Sequence, residues 1–177
     1  MKLFLSIFLS ISSFSISAKY SIGISISEQR LYLYEEDKVV RSYPVSSSEY
    51  GEGQVENSFK TPLGKHKIKI KIGTNVDKYH FFVSREHIPQ KVNIISEKIN
   101  SEDDFITTRI MWLEGLDEGF NKGTNVDSFK RYIYIHGTHE EGLIGEKASH
   151  GCIRMLNHDV LELYELIPEE TIVNIYL

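Results

Sequence analysis

Between Lys67 and Ile72 the chain reads Lys-Ile-Lys-Ile-Lys-Ile. Strict alternation over six residues puts three isoleucines on one side of an extended strand and three lysines on the other. A helix would scatter both kinds of side chain around its axis, so the segment must be a strand with one buried and one wet face. The net charge is −5, with 20 Lys+Arg against 25 Asp+Glu. That balance makes the lysine row a solvated face, guarding a sheet edge, in preference to a nucleic-acid contact.

The same period recurs along the chain. Ile22, Ile24 and Ile26 alternate with small or polar residues over 21–27, and Arg30 to Tyr34 continues the pattern. Residues 39–45, 77–83, 107–113, 131–135 and 171–177 read as further strands. One helix is expected over 157–167, with Asn157 as N-cap, Val160, Leu163, Tyr164 and Ile167 at helical spacing, and Pro168 as the stop. Segment 94–104 fits neither period, so one or two helices are expected in all. Residues 46–61 form a long Ser/Gly/Glu loop closed by the turn Thr61-Pro62-Leu63-Gly64, and 115–127 is a second loop. Gly-Thr-Asn-Val-Asp occurs at 73–77 and again at 123–127 with unrelated flanks, which predicts two similar turns. With 177 residues, 41% of them hydrophobic, and no linker-like stretch, the chain supports one mainly β domain with its own core.

Residues 1–17 stand apart. Lys2 precedes a short apolar run interrupted by serines, and Ser15-Ile16-Ser17 offers small residues for cleavage after Ser17. This is the pattern of a secretory signal peptide and is shorter than the roughly 20 residues of a membrane span. Export to a periplasm or cell wall is expected, leaving domain 18–177. A free thiol outside the cytoplasm is a liability unless it is buried or used, and Cys152 is the only cysteine.

Reactive side chains gather in His136-Gly137-Thr138-His139 and Ser149-His150-Gly151-Cys152-Ile153-Arg154. Period 2 puts Tyr132, Tyr134 and His136 on one strand face, with His136 at the strand end, open to a cleft. An imidazole can hold a nearby thiol as the nucleophilic thiolate. Gly151 lets backbone N–H groups approach an oxyanion, and Arg154 could pair with a substrate carboxylate. Taken singly, a cysteine is more often a small buried hydrophobe and a strand-end histidine a structural one; together they favour catalysis. His136 and His139 with His150 or Cys152 could supply three metal ligands, but the two histidines straddle a Gly-Thr turn, so no metal or cofactor is expected.

His136-Gly137-Thr138, then Ile144-Gly145, then Ala148-Ser149-His150-Gly151-Cys152-Ile153-Arg154-Met155 resembles the signature of the YkuD-type L,D-transpeptidases. Ser27 to Tyr34 is similar to that family's opening hairpin, and Thr61-Pro62-Leu63-Gly64 to its Thr-Pro-x-Gly turn. The resemblance covers roughly residues 20–177. It implies a β-sandwich-like catalytic domain acting on peptidoglycan stem peptides. Cys152 would attack the amide between an L-centre and terminal D-Ala, form a thioester, and pass the acyl group to an amine of a second stem, giving a 3→3 cross-link. His136 matches the general acid/base, oriented by the Gly137 carbonyl. Backbone near Gly151 and Cys152 would supply oxyanion donors, and Ser149, His150 and Arg154 match supporting or substrate-binding positions. Water as acceptor would make the chain a carboxypeptidase, a wall-linked lipoprotein is a further candidate partner, and a non-catalytic wall-binding module is the alternative of another class. The pattern departs from the family in a short spacer of 12 residues before Ser149 and in Arg154, where many members carry Asn. Oligomeric state is not implied.

Overall fold

The structure is a computed structural model that describes residues 20–177; the expected signal segment 1–17 lies outside them. The described residues hold ten strands, β1 (Tyr20–Ser25), β2 (Arg30–Glu35), β3 (Lys38–Ser46), β4 (Gly64–Ile72), β5 (His80–Val83), β6 (Glu86–Lys91), β7 (Ile106–Gly115), β8 (Tyr134–Thr138), β9 (Ile153–Met155) and β10 (Ile172–Tyr176), and one α-helix, α1 (Asn157–Leu166). Hydrogen-bonded order runs β4-β10-β1-β2-β3-β9-β8-β7, and β7 returns to β4, so eight strands close a ring. Closure removes the open edges that a sheet this size would expose.

The long strand β7 makes this possible. Along one edge it pairs with β8; along the other its later residues pair with β4, and Ile106 and Thr107 pair with β5. The β5–β6 hairpin therefore projects from the ring as a flap. Inward-facing Ile24, Leu33, Ile68, Leu113, Ile135 and Ile153 share the main core with Val160 and Leu163 of α1. A smaller cluster of Phe82, Ile110 and Tyr134 sits on the opposite face of β7 and β8.

Several sequence expectations change. β4 is paired on both sides, and a bulge between Ile68 and Ile70 breaks its alternation. The lysines are consequently engaged. Lys67 meets Glu114 at 3.3 Å and Glu170 at 2.7 Å. Lys71 donates to the carbonyls of Tyr164 and Ile167, both at 2.6 Å, closing the C-terminus of α1. Strand β6 had no sequence signal, because Pro89 interrupts an exposed edge. Segment 94–104 forms no helix or strand. The strand expected over 131–135 begins only at Tyr134: residues 128–133 wind into a turn in which Tyr132 takes φ 57°. Asn157 is the first helical residue and not the cap; the Glu141 carboxylate accepts its N–H at 2.8 Å. Both Gly-Thr-Asn-Val-Asp copies close a turn with the same hydrogen bond, Val76 N–H to Gly73 O at 2.9 Å and Val126 N–H to Gly123 O at 3.2 Å, but the left-handed residue is Asn75 in the first and Thr124 in the second.

Candidate active site

Parallel strands β8 and β9 run side by side with Ile135 opposite Ile153 and His136 opposite Arg154. One step back, this register sets Cys152 level with Tyr134, and the Tyr134 N–H donates to Cys152 Sγ at 3.4 Å. Parallel partners point the same way, so Tyr134, His136, Cys152 and Arg154 share one face, while Ile135 and Ile153 turn into the core. Cys152 and His136 are thus diagonal neighbours on that face.

His136 is buried within β8, not at its end, since the strand continues through Gly137 to Thr138. Its Nδ1 lies 2.7 Å from the Gly137 carbonyl oxygen. A carbonyl only accepts, so Nδ1 carries the hydrogen and Nε2 keeps the lone pair. Burial pushes the imidazole down to about 4, against Asp104 and the Gly137 carbonyl. Gly137 has no room for a side chain: a Cβ would stand 2.7 Å from Asn157 Oδ1 and 2.8 Å from the Thr107 carbonyl. Asn157 locks this region, accepting from Thr107 Oγ1 at 2.6 Å and donating to the Thr138 carbonyl at 2.6 Å. Beside it β7 is bulged, and Thr108, a buried β-branched residue, sits at φ 64°.

Cys152 keeps some exposed surface, and its sulfur packs against the Phe82–Ile110–Tyr134 cluster. The thiol accepts from Tyr134 N–H and donates to the Tyr132 carbonyl at 3.4 Å. Burial pushes it up to about 12; Asp104 adds to the rise, while the Tyr134 N–H, Arg154 and Arg131 oppose it. Burial thus favours the uncharged form of both groups.

The loop before Cys152 is held from both sides. Ser149 Oγ donates to the Cys152 carbonyl at 2.6 Å and accepts the Gly151 N–H at 3.2 Å. Gly151 adopts φ 119°, which glycine takes without strain, and its carbonyl accepts from Thr61 Oγ1 at 3.0 Å. Thr61 thus ties the 46–63 loop to the cysteine. Arg131 does the same, giving its guanidinium to the carbonyls of Gln54 at 2.8 Å and Lys60 at 2.6 Å. A cavity of about 260 Å³, walled by Phe59, Arg131, Tyr132 and His150, adjoins this loop.

Arg154 is placed differently from a substrate-facing cation. It is 1% exposed and bridges Glu140 at 2.9 Å, itself 1% exposed, and Asp104 at 2.8 Å. Burial alone would raise the Asp104 carboxyl, but the Arg154 guanidinium and the hydrogen bond from His150 outweigh it and hold it below the usual carboxylate range. His150 is exposed; its Nδ1 lies 3.1 Å from Asp104 and its Nε2 3.5 Å from Glu49. Asp104, Glu140, Arg131 and Asn157 were not singled out from sequence as site residues. Only Glu140, next to the His-Gly-Thr-His run, carried a positional hint.

A ring-closed β domain with a thiol and an imidazole on neighbouring parallel strands defines the class. The chain belongs to the YkuD family of L,D-transpeptidase catalytic domains, which it matches over residues 19–175. It is 29% identical over 156 residues to the YkuD protein of Bacillus licheniformis, covering 88% of this chain and 65% of that one. Against the YkuD protein of Bacillus subtilis it is 48% identical over 46 residues, 26% of this chain and 28% of the other. The chain therefore spans less than two thirds of these relatives. Its fold is that of an L,D-transpeptidase from Mycobacterium smegmatis, with TM-score 0.53, 16% identity and coverage of 90% of this chain and 59% of that one. An L,D-transpeptidase from Xylanimonas cellulosilytica gives TM-score 0.52 at 20% identity, covering 92% and 62%.

Proposed function

We propose that this chain is an exported peptidoglycan L,D-transpeptidase using Cys152 as nucleophile and His136 as general acid/base. The observation that carries the reading is the shared face of Cys152 and His136 on adjacent parallel strands, with Nδ1 anchored on the Gly137 carbonyl so that Nε2 is the free base.

Both groups start neutral. Substrate arrival draws Sγ away from the Tyr132 carbonyl, and its proton passes to His136 Nε2 as sulfur attacks the carbonyl carbon before D-Ala. A buried imidazole resists the charge, and Asp104 lowers that cost by its negative charge on the His136 side. The Gly151 N–H is turned to Ser149, and the oxyanion role falls in this reading to the Cys152 N–H. The C–N bond breaks, the imidazolium proton leaves with the D-Ala amine, and the acyl group stays on sulfur as a thioester. An amine of a second stem then attacks, His136 takes its proton, and the thiol is restored.

Disaccharide-tetrapeptide fragments incubated with the protein should yield cross-linked dimers and free D-Ala by mass spectrometry. Cys152→Ala should give neither, and His136→Ala should lose about 10²–10⁴-fold in rate. Tripeptides alone would replace transfer by trimming; full turnover by Cys152→Ala would remove the nucleophile. Export by residues 1–17 is part of the proposal and is tested by fusing them to a reporter active only outside the cytoplasm.

A further inference from the structure

We propose that Arg85, at the tip of the β5–β6 hairpin, binds the free C-terminal carboxylate of the donor peptide. The proposal rests on the acyl-transfer reading above and adds to it the residue that selects the substrate's charge.

An enzyme that cleaves the last residue from a peptide meets an anionic terminus one residue beyond the attacked carbon. Two other guanidiniums beside the site are already committed to groups of the chain itself. Arg154 is held between Asp104 and Glu140. Arg131 is turned to the carbonyls of Gly53, Gln54 and Lys60. Arg85 has no carboxylate partner among the described residues. Its guanidinium lies over the rings of Tyr132 at 4.8 Å and Trp112 at 5.3 Å, and one N–H reaches Tyr134 Oη at 3.4 Å. Stacking fixes the plane of the fork and leaves its other N–H groups for an acceptor.

Its position follows from the sulfur. Tyr134 and Tyr132 are the residues whose main chain holds Cys152 Sγ, and theirs are also the side chains under Arg85. The charge therefore lies over the aromatic side chains of the two residues whose backbone holds the sulfur. The backbone points the same way. Ser84 and Arg85 take φ 48° and 70°, the two left-handed positions of a tight hairpin turn, where Asn-Gly is the unstrained choice. The chain keeps an arginine at the second position despite that strain.

The test uses the chain carrying Cys152→Ala, which binds donor without acylation, and two synthetic tetrapeptides differing only in a C-terminal carboxylate or carboxamide. Calorimetry should show preference for the carboxylate by on the order of 10- to 100-fold. Arg85→Gln on that background should shrink the preference to within a few-fold, and Arg85→Lys, which keeps charge but not the fork, should fall between. Melting curves establish that each variant is folded; should Arg85→Gln not fold, the comparison is read from Arg85→Lys. Equal weakening of both peptides by Arg85→Gln would make Arg85 a latch for the flap and overturn the proposal. So would preference surviving in Arg85→Gln but vanishing in Lys130→Ala, the cation on the cavity rim. Failure of both peptides to bind the Cys152→Ala chain would sink this inference together with the donor assignment. Binding indifferent to the terminus would sink this inference alone.

Discussion

Arg154→Met tests whether this arginine is a structural ion or a substrate ligand. Methionine keeps the apolar stem but removes the guanidinium and its charge. Glu140, 1% exposed, would lose its Arg154 partner at 2.9 Å and keep only the Ser101 hydroxyl at 2.7 Å and the Ser101 N–H. Removing one partner of a buried pair leaves an uncompensated charge and costs about 3–5 kcal/mol. For a domain of this size each kcal/mol moves the midpoint by roughly 2–4 °C, so a drop of about 6–20 °C is expected by circular dichroism. A pairing role adds a second signature: Arg154→Met with Glu140→Gln should be more stable than the sum of the single losses predicts. A midpoint within 2 °C of the parent, with KM alone raised, would refute the structural assignment and return Arg154 to the substrate.

Acid should weaken the fold before the carboxylates titrate. His66 is buried, with Nδ1 3.0 Å from the Gly64 carbonyl and Nε2 2.9 Å from Ser128 Oγ, and burial pushes it down to about 4. The unfolded chain takes up that proton near pH 6.5 and the folded chain does not, so stability is full above about 6.5 and falls by up to about 3 kcal/mol as pH drops toward 4. Urea midpoints across that window should slope downward, and His66→Gln should make the slope shallower, with His136, pushed down in the same way, keeping the remainder; a flat parent profile would contradict it. Iodoacetamide should label Cys152 more slowly at pH 7 than a free peptide thiol, with the rate still climbing at pH 10, because burial holds the proton on sulfur; a plateau below pH 8 would argue for a resting thiolate. Gly137→Ala should lower stability by about 1–3 kcal/mol from the clash with the Thr107 carbonyl and Asn157, and should cut the rate of acyl transfer by shifting the carbonyl that holds His136; unchanged kinetics would show that this carbonyl is not needed.

Most strands were readable because alternation is a local signal. β1, β2 and β3 came through close to their bounds, as did β10. β8 was displaced because Arg131-Tyr132-Ile133 alternates like a strand, whereas the hydrogen bonds Arg131 N–H to Asp127 O and Ile133 N–H to Ser128 O wind it into a turn. β6 was invisible because it buries almost nothing and contains Pro89. Cys152 and His136 were readable because their neighbours crowd small and reactive residues into two short runs. Asp104 was not: it lies in an irregular loop, and its meaning comes from Arg154 and His150, which the closed ring brings against it.

The amino-acid order by itself determined which segments extend, which face of each is apolar, and which sulfur and which imidazole are candidates for chemistry. Those properties depend on residues one to four positions apart. Tertiary structure alone decided that the sheet closes, that Arg154 is neutralised by two carboxylates while Arg85 is left stacked on aromatic rings, and that burial disfavours charge on both thiol and imidazole. Charge state and partner choice depend on burial and on groups remote in the chain, and folding is what sets both.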